Sequence, residues 1–324
     1  MSVDRRKALA AWVSVGSNSS LMALKLCVGF LTGSVSVLSE AVHSGIDLLA
    51  AVVTLTAVKS AALPADENHP YGHGKFENVS GTLEAALILG AAIWIIVEAV
   101  QKIRHPQPLG APFWGVVVML ISAAANWRVS RYLLSAGQET ESVALVADAS
   151  HLRTDVYTSA GVMAGLAAIT VGRWFFPRAA LHLIDPIAAL FVAALILRAA
   201  VKLTVQAGRD LVDFSLPPAE EADIRTCIDR FAGGSCGYHK LRTRKSGPQR
   251  FVEFHLLVDP AMSVVDSHRI TEKLETCIRE KLPETNVLVH IEPCDGVCSE
   301  SCEEGCLLTP EQRAERQQTA AGKA

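Results

Sequence analysis

Charge is what this sequence has least of: Asp, Glu, Lys and Arg make up only 19% of its 324 residues, against about a quarter in a soluble globular domain. The shortage is regional. Residues 8 to 205 hold most of the apolar runs, while residues 206 to 324 have an ordinary soluble composition. A positive excess is missing as well. The formal net charge of −3 excludes the basic stripe that a nucleic-acid partner would need. Cysteines at disulfide-framework spacing are absent from the apolar half, where Cys27 stands alone. Such usage predicts a reducing compartment in which thiols stay free or bind metal. Also lacking is a short apolar core followed by a small-residue cleavage site. Arg5, Arg6 and Lys7 precede a stretch that runs to about Leu31, so the N-terminus reads as a retained first membrane helix and not as a signal peptide.

What is present is hydrophobicity. Half of the residues are hydrophobic and the mean hydropathy is +0.29. A helix needs roughly 20 mainly apolar residues to cross a bilayer, and six segments qualify, at about 8–31, 34–57, 79–101, 111–134, 142–172 and 183–205. The fourth and fifth contain uncharged runs, from Ala111 to Trp127 and from Val156 to Gly172. The others are interrupted by Asn18 and Lys25, by Glu40, His43 and Asp47, by Glu84 and Glu98, and by Asp185 and Arg198. The first half of the fifth carries Asp148, His151, Arg153 and Asp155. Charge exposed to lipid costs at least ~2.5–3.5 kcal/mol per group, so these side chains must face inward. The expectation is a six-helix transmembrane bundle with a polar centre, over residues 1–210.

Orientation follows from Lys and Arg near the helix ends. With the N-terminus inside, Arg5, Arg6, Lys7, Lys59, Lys75, Arg128, Arg131, Lys202 and Arg209 fall on the cytoplasmic side. Lys102, Arg104, Arg173 and Arg178 fall outside. Both termini are therefore expected in the cytoplasm. After Leu216-Pro217-Pro218 the pattern becomes helix (219–232), strand (Tyr238–Thr243), a Ser246-Gly247-Pro248 turn, strand (Arg250–Val258), helix (about 264–281) and strand (Asn286–Glu292). This αββαβ order predicts an α+β sandwich with helices on one sheet face, over residues 211–296. Residues 297–324 are polar and lack an apolar period, which predicts a flexible tail.

The chemistry concentrates in histidines. His43 and Asp47 occur as His-Ser-Gly-Ile-Asp, and His151 and Asp155 as His-Leu-Arg-Thr-Asp. A spacing of four places both side chains of a pair on one helix face. A lone membrane His is as readily a hydrogen-bonded bundle residue as a ligand. Two matching pairs at matching depth favour a site of two nitrogens and two carboxylates, which suits a tetrahedral ion such as Zn2+. Glu40 and Asp148, one turn before each His, either guide ions to the site or pair with Arg153 or a helix end. A second group, Asp66, His69 and His73, lies in a Pro- and Gly-bearing loop that can wrap an ion or be plain solvated loop. A third, His239, His255, His268 and His290 with Glu292 nearby, is spread over the soluble segment. Eight of the ten histidines fall in these three groups, a concentration that favours metal over chance. Cys294, Cys298, Cys302 and Cys306 form a ladder in the tail. Four such thiols would line a helix face or fold around a soft cation, or belong to an oxidation-prone unstructured tail.

Over roughly residues 8–296 the chain resembles the cation diffusion facilitator family, closest to its bacterial zinc and iron efflux members. The resemblance rests on the paired intramembrane motifs, the Asp66…His69…His73-Gly74-Lys75 loop, and the stretch from Leu241 to Phe251 leading into His255. It implies a transport site at His43, Asp47, His151 and Asp155, a loop site at Asp66, His69 and His73, and a cytoplasmic binuclear site at His239, His255, His268, His290 and Glu292. It further implies a metallochaperone-like cytoplasmic domain, a homodimer interlocked by Lys75 and Asp213, and a place in the bacterial inner membrane. Some relatives have Asp at the position of His43 and Asp at that of Glu292; the Cys ladder lies outside the family pattern. The implied activity is export of Zn2+ from the cytoplasm in exchange for protons, with Zn2+ also bound as a structural or regulatory ion. Fe2+, Co2+ or Mn2+ export remains the alternative within the fold. A membrane metalloenzyme would need a general base and substrate pocket, and no such base is evident. A pure sensor leaves the intramembrane ligands unexplained, and four strong ligands would hold an ion too tightly for a channel.

Overall fold

The computed structural model describes residues 3–32, 35–104, 113–175, 184–231, 235–298 and 300–321. It divides into two compact units, Met1–Leu211 and Val212–Ala324.

The first unit consists of six long helices, α1 (Val3–Thr32), α2 (Val35–Ala61), α3 (Lys75–Arg104), α4 (Phe113–Glu139), α5 (Val143–Phe175) and α6 (Ile184–Leu211). Among the described residues, Val3–Leu31, Ser44–Ala61, Lys75–Gln101 and Leu190–Leu211 are long and apolar enough to cross a membrane. The remaining helices, α4 and α5, have 27 and 33 residues, longer than the roughly 20 a crossing needs. The side chains at 161–175, and with them most of the expected uncharged run of α5, lie outside the described residues.

Small residues let the helices approach closely, as packing in lipid requires. Ala10, Ala11, Ala144 and Ala149 are fully buried around Leu55, Leu133, Leu145 and Leu152. Ala85, Ala92, Ala147 and Ala200 pack around Ile88 and Ile196. At Gly81 a Cβ would come within 2.8 Å of the Val143 side chain, so α3 and α5 meet where no larger residue fits. Large apolar side chains point outward instead, among them Trp12, Leu49, Leu83, Trp94, Phe191 and Leu195. This inside-out pattern is what a hydrocarbon solvent selects.

Polar groups lock one end of the bundle. The Lys7 ammonium donates to Glu77 Oε1 at 2.8 Å with both side chains fully buried, and the Ser142 hydroxyl donates to the other Glu77 oxygen. Nearby, Arg6 pairs with Glu139 at 2.5 Å, and Lys59 lies over the Trp12 ring, 4.9 Å from its centroid. These residues come from the starts of α1, α3 and α5 and the ends of α2 and α4, so the helices alternate in direction.

The second unit runs α7 (Pro218–Phe231), β1 (Ser235–Ser246), β2 (Gln249–Val258), α8 (Val264–Lys281), β3 (Thr285–Pro293), α9 (Glu300–Glu304) and α10 (Pro310–Ala321). The sheet order is β1-β2-β3, with β1 antiparallel and β3 parallel to β2. Alternate residues of β2, namely Val252, Phe254, Leu256 and Val258, are buried against Ile224 and Ile228 of α7 and Leu274 and Ile278 of α8. The helices therefore cover one face, and the other face carries the polar side chains. A serine cap starts α8: Ser263 Oγ accepts from the Asp266 amide and donates to its carboxylate, satisfying an otherwise orphaned donor.

Two expectations change here. Thiols were expected to stay free or bind metal, but Cys227 and Cys277 are joined in a disulfide between α7 and α8; one buried residue from each helix meets its counterpart in the core. The segment expected to be a flexible tail carries α9 and α10 and returns to the sheet, where Tyr238 N donates to Gly305 O at 3.0 Å and Leu307 N to Cys236 O at 3.1 Å. Its lack of apolar period hid this docking, because main-chain hydrogen bonds hold it.

Candidate metal centres

The first centre is built from two helices. Asp47 on α2 and His151 and Asp155 on α5 bring their ligand atoms within 4.8 Å of one another. His151 Nε2 lies 3.2 Å from Asp47 Oδ1, both side chains being nearly inaccessible. One helical turn before Asp47 stands His43, whose side chain lies outside the described residues, as does that of Glu40. Among the described residues, His151 Nδ1, Asp148 Oδ2 and Glu84 Oε2 have no hydrogen-bond partner. Buried polar atoms are normally satisfied, and a bound cation would satisfy these three. Asp148 is almost fully buried, and Glu84 on α3 is completely so. The Thr54 hydroxyl donates to the other oxygen of Glu84. Glu84 is the functional candidate that reading the sequence passed over; its signal was a carboxylate interrupting the third apolar segment.

The second centre lies in the loop between α2 and α3. Asp66 Oδ1 accepts from the backbone amides of Asn68 and His69, at 2.9 and 2.6 Å. Those amide contacts, the one from His69 foremost, lower the Asp66 pKa from its ordinary value. His69 Nδ1 and His73 Nε2 approach the two oxygens of Asp66 at 3.2 and 3.3 Å, and all three residues group within ligand range of one another. His73 Nδ1 stands 3.1 Å from the carbonyl of Pro64. A carbonyl only accepts, so that contact holds the ring through its Nδ1–H and turns Nε2 toward Asp66, an orienting contact of the kind ligand imidazoles make. Gly72 adopts φ 82°, a left-handed turn open to glycine at no steric cost, and this turn folds His73 back toward Asp66.

The third centre lies on the open sheet face. His239, His255 and His290 occupy one rung, His239 paired with His255 and His255 with His290. Ring centroids are 5.2 Å apart for the first pair and 4.7 Å for the second. Glu292, two residues beyond His290, shares its face by strand alternation. It reaches His239 Nε2 at 2.8 Å and His255 Nδ1 at 2.7 Å, with His290 Nε2 at 3.6 Å. Partial burial tends to raise the Glu292 carboxyl, but the hydrogen bonds with His239 and His255 outweigh it, so the pKa is lowered. The buried His239 Nδ1 has no hydrogen-bond partner among the described residues. His239, His255 and Glu292 form a ligand-competent group. His268 does not join it: exposed on α8, it lies 3.6 Å from Glu272. Of the two residues expected to interlock protomers, Lys75 opens α3 and Asp213 has Arg244 at 3.6 Å within its own unit.

Comparison with known proteins follows the same division. Residues 11–212 match the cation efflux transmembrane domain, and residues 216–294 match the cytoplasmic domain of cation efflux proteins. The uncharacterized transporter sll1263 of Synechocystis sp. is 38% identical over 283 residues, covering 87% of this chain and 89% of its own. The cation-efflux pump FieF of Klebsiella pneumoniae is 32% identical over 292 residues, covering 90% and 94%. Among solved structures, the metal-bound C-terminal domain of the CzcD transporter from Thermotoga maritima is 30% identical, covering 23% of this chain and 87% of its own, with a TM-score of 0.22.

Proposed function

The chain belongs to the cation diffusion facilitator family of membrane cation efflux transporters, and on that premise we propose that it exports Zn2+ from the cytoplasm in exchange for protons. The observation that carries this reading is the buried group of Asp47, His151 and Asp155 between α2 and α5, one helical turn from His43. Two imidazoles and two carboxylates offer the mixed nitrogen and oxygen set that Zn2+ takes tetrahedrally.

The mechanism is competition between protons and metal for the same atoms. An imidazole must be neutral to bind a cation, and an unperturbed one titrates near pH ~6.5. In a cytoplasm-facing state, Zn2+ displaces protons from His43 and His151 and pairs with Asp47 and Asp155. Once the bundle rocks to face the more acidic side, protonation of the same groups releases the ion. Glu84 and Asp148 lie within electrostatic reach of His151, so further carboxyl oxygens stand beside the transport site. Their oxygens also support a second reading, Fe2+ or Mn2+ as cargo, since oxygen-rich sites suit ions that prefer higher coordination.

In this reading all six long helices span a bacterial inner membrane with both termini in the cytoplasm. The chain works as a homodimer. The loop group Asp66, His69 and His73 collects ions at the cytoplasmic mouth. His239, His255, His290 and Glu292, with His268 supplied once the dimer forms, hold Zn2+ that tightens the pair of cytoplasmic domains.

The test is metal uptake into proteoliposomes under an imposed pH gradient, across Zn2+, Cd2+, Fe2+ and Mn2+, with wild type, Asp47→Ala and Asp155→Ala. Proton-driven Zn2+ flux abolished by both substitutions is expected. Flux that survives both would make the intramembrane group structural and end this reading; flux selective for Fe2+ or Mn2+ would move the assignment to the second.

A further inference from the structure

The folded tail gathers cysteines. Cys294 follows β3 and is anchored where its amide donates to Val258 O at 2.8 Å. Cys298 follows it, Cys302 rides on the short α9, and Cys306 forms a bridge to Gly237 of β1. All four are only partly exposed and carry free thiols. Cys294, Cys298 and Cys302 line one cavity. Burial pushes the Cys302 thiol up to about 11, and the adjoining thiols of Cys298, Cys294 and Cys306 add to the rise. A fifth thiol, Cys236 on β1, is pushed up to about 12 by burial and then by Cys294 beside it.

Two glycines make this gathering possible. A Cβ at Gly237 would meet Gly305 O at 2.6 Å, and one at Gly305 would meet Tyr238 O at 1.9 Å. Main chain lies against main chain here, and that places Cys306 over the strand that carries Cys236. The next helix supplies cations. Arg316 on α10 pairs with Asp259, and the Arg313 guanidinium lies beside Cys306 and Cys298, which raise its pKa. Beneath the thiols is a cavity of 120 Å³, lined by His239, Glu292, Cys294, Cys298 and Cys302 among others.

We propose that Cys294, Cys298, Cys302 and Cys306 close on one Zn2+-class cation as a tetrathiolate site, beside the cavity that the first three share with His239 and Glu292 of the sheet centre. Four thiolates around a divalent ion are dianionic, and Arg313 and Arg316 are placed to balance that charge. An ion at ~2.3 Å from each sulfur draws the α9 turn closed over the cavity. The site binds softer than the sheet centre beside it, which offers only nitrogen and oxygen. It thus captures metal at low free concentration and holds it next to the imidazoles.

Full-length protein, reduced and stripped of metal, is titrated with Co2+, whose thiolate charge-transfer band in the near ultraviolet reports sulfur ligation independently of transport. Wild type is expected to show the band and to bind one Co2+ per chain more than the variant with Cys294, Cys298, Cys302 and Cys306 all changed to Ser. Glu292→Gln and His255→Ala are expected to keep the band. Cys302→Ser alone, a smaller perturbation of the fold, is expected to weaken binding by more than the ~10–100-fold that loss of an outer partner costs. No band in reduced wild type would overturn the proposal. So would an unchanged band in either Ser variant, or a band lost with Glu292→Gln.

Discussion

Lys7 and Glu77 offer the sharpest test of how the bundle is held. Their side chains are 3% and 1% exposed, 2.8 Å apart, and Ser142 completes the Glu77 carboxylate. Taking either partner away leaves the other charge buried with no counter-ion, which costs about 3–5 kcal/mol. Replacing both with apolar residues of similar volume is commonly neutral or better. The single variants Lys7→Met and Glu77→Met should therefore each be strongly destabilised, and the double variant should recover most of the loss. For a unit of this size ~1 kcal/mol moves the melting temperature by about 2–4 °C, so each single variant should melt roughly 6–20 °C lower. Thermal unfolding in a mild detergent, followed by intrinsic fluorescence and by loss of the monodisperse peak, reads the cycle. Additive losses, with the double variant worse than either single, would refute the reasoning. Lys7 and Glu77 would then act through separate partners.

Other expectations concern the second unit. The Cys227–Cys277 bond closes a loop of 50 residues, worth about 4 kcal/mol in the chain-entropy account. Denaturant unfolding of Cys277→Ser, or of wild type under reductant, should show that loss, and an unchanged midpoint would mean the two thiols stay apart in solution. Gly305→Ala drives a methyl into the Tyr238 carbonyl, so protease should cut the 297–310 segment at least several-fold faster while the sheet stays intact. Asp259 has its pKa lowered, first by the Ala261 amide and then by Arg316. A depressed carboxylate contributes fully above its unfolded value of ~3.9 and loses that contribution as the pH falls through the folded one. Hydrogen exchange of α10 should thus be pH-independent from neutrality to about pH 4, once intrinsic rates are corrected, and should quicken below that. Quickening at pH 6 would show that another group holds α10.

Local spacing carried much of this architecture. His-x-x-x-Asp puts both side chains on one helix face whatever the surroundings, and strand alternation alone sets His290 and Glu292 on one side of β3. The αββαβ order followed from periodicity and from Ser246-Gly247-Pro248. What sequence could not show depends on partners far apart along the chain. Lys7 and Glu77 stand 70 residues apart, and nothing in either local pattern names the other. Cys227 and Cys277 each occupy one more buried position on an amphipathic helix, and neither local pattern names the other. Docking of the tail depends on the absence of side chains at Gly237 and Gly305, which no hydrophobic pattern records. His268, which the resemblance placed with the other histidines, stands apart from them on α8 within one chain, because a helix position does not say which way the helix turns it.

The rung of His239, His255 and His290 has a mechanical consequence. Each imidazole sits on a different strand, and the strands are tied by ladder hydrogen bonds on either side of β2. None of the three can swing toward an ion on a loose loop; backbone movement at His255 is resisted by a strand on each side, and at His239 and His290 by β2. An ion bound at this rung would meet three imidazoles already held in place by the ladder, so binding would cost little rearrangement within the sheet.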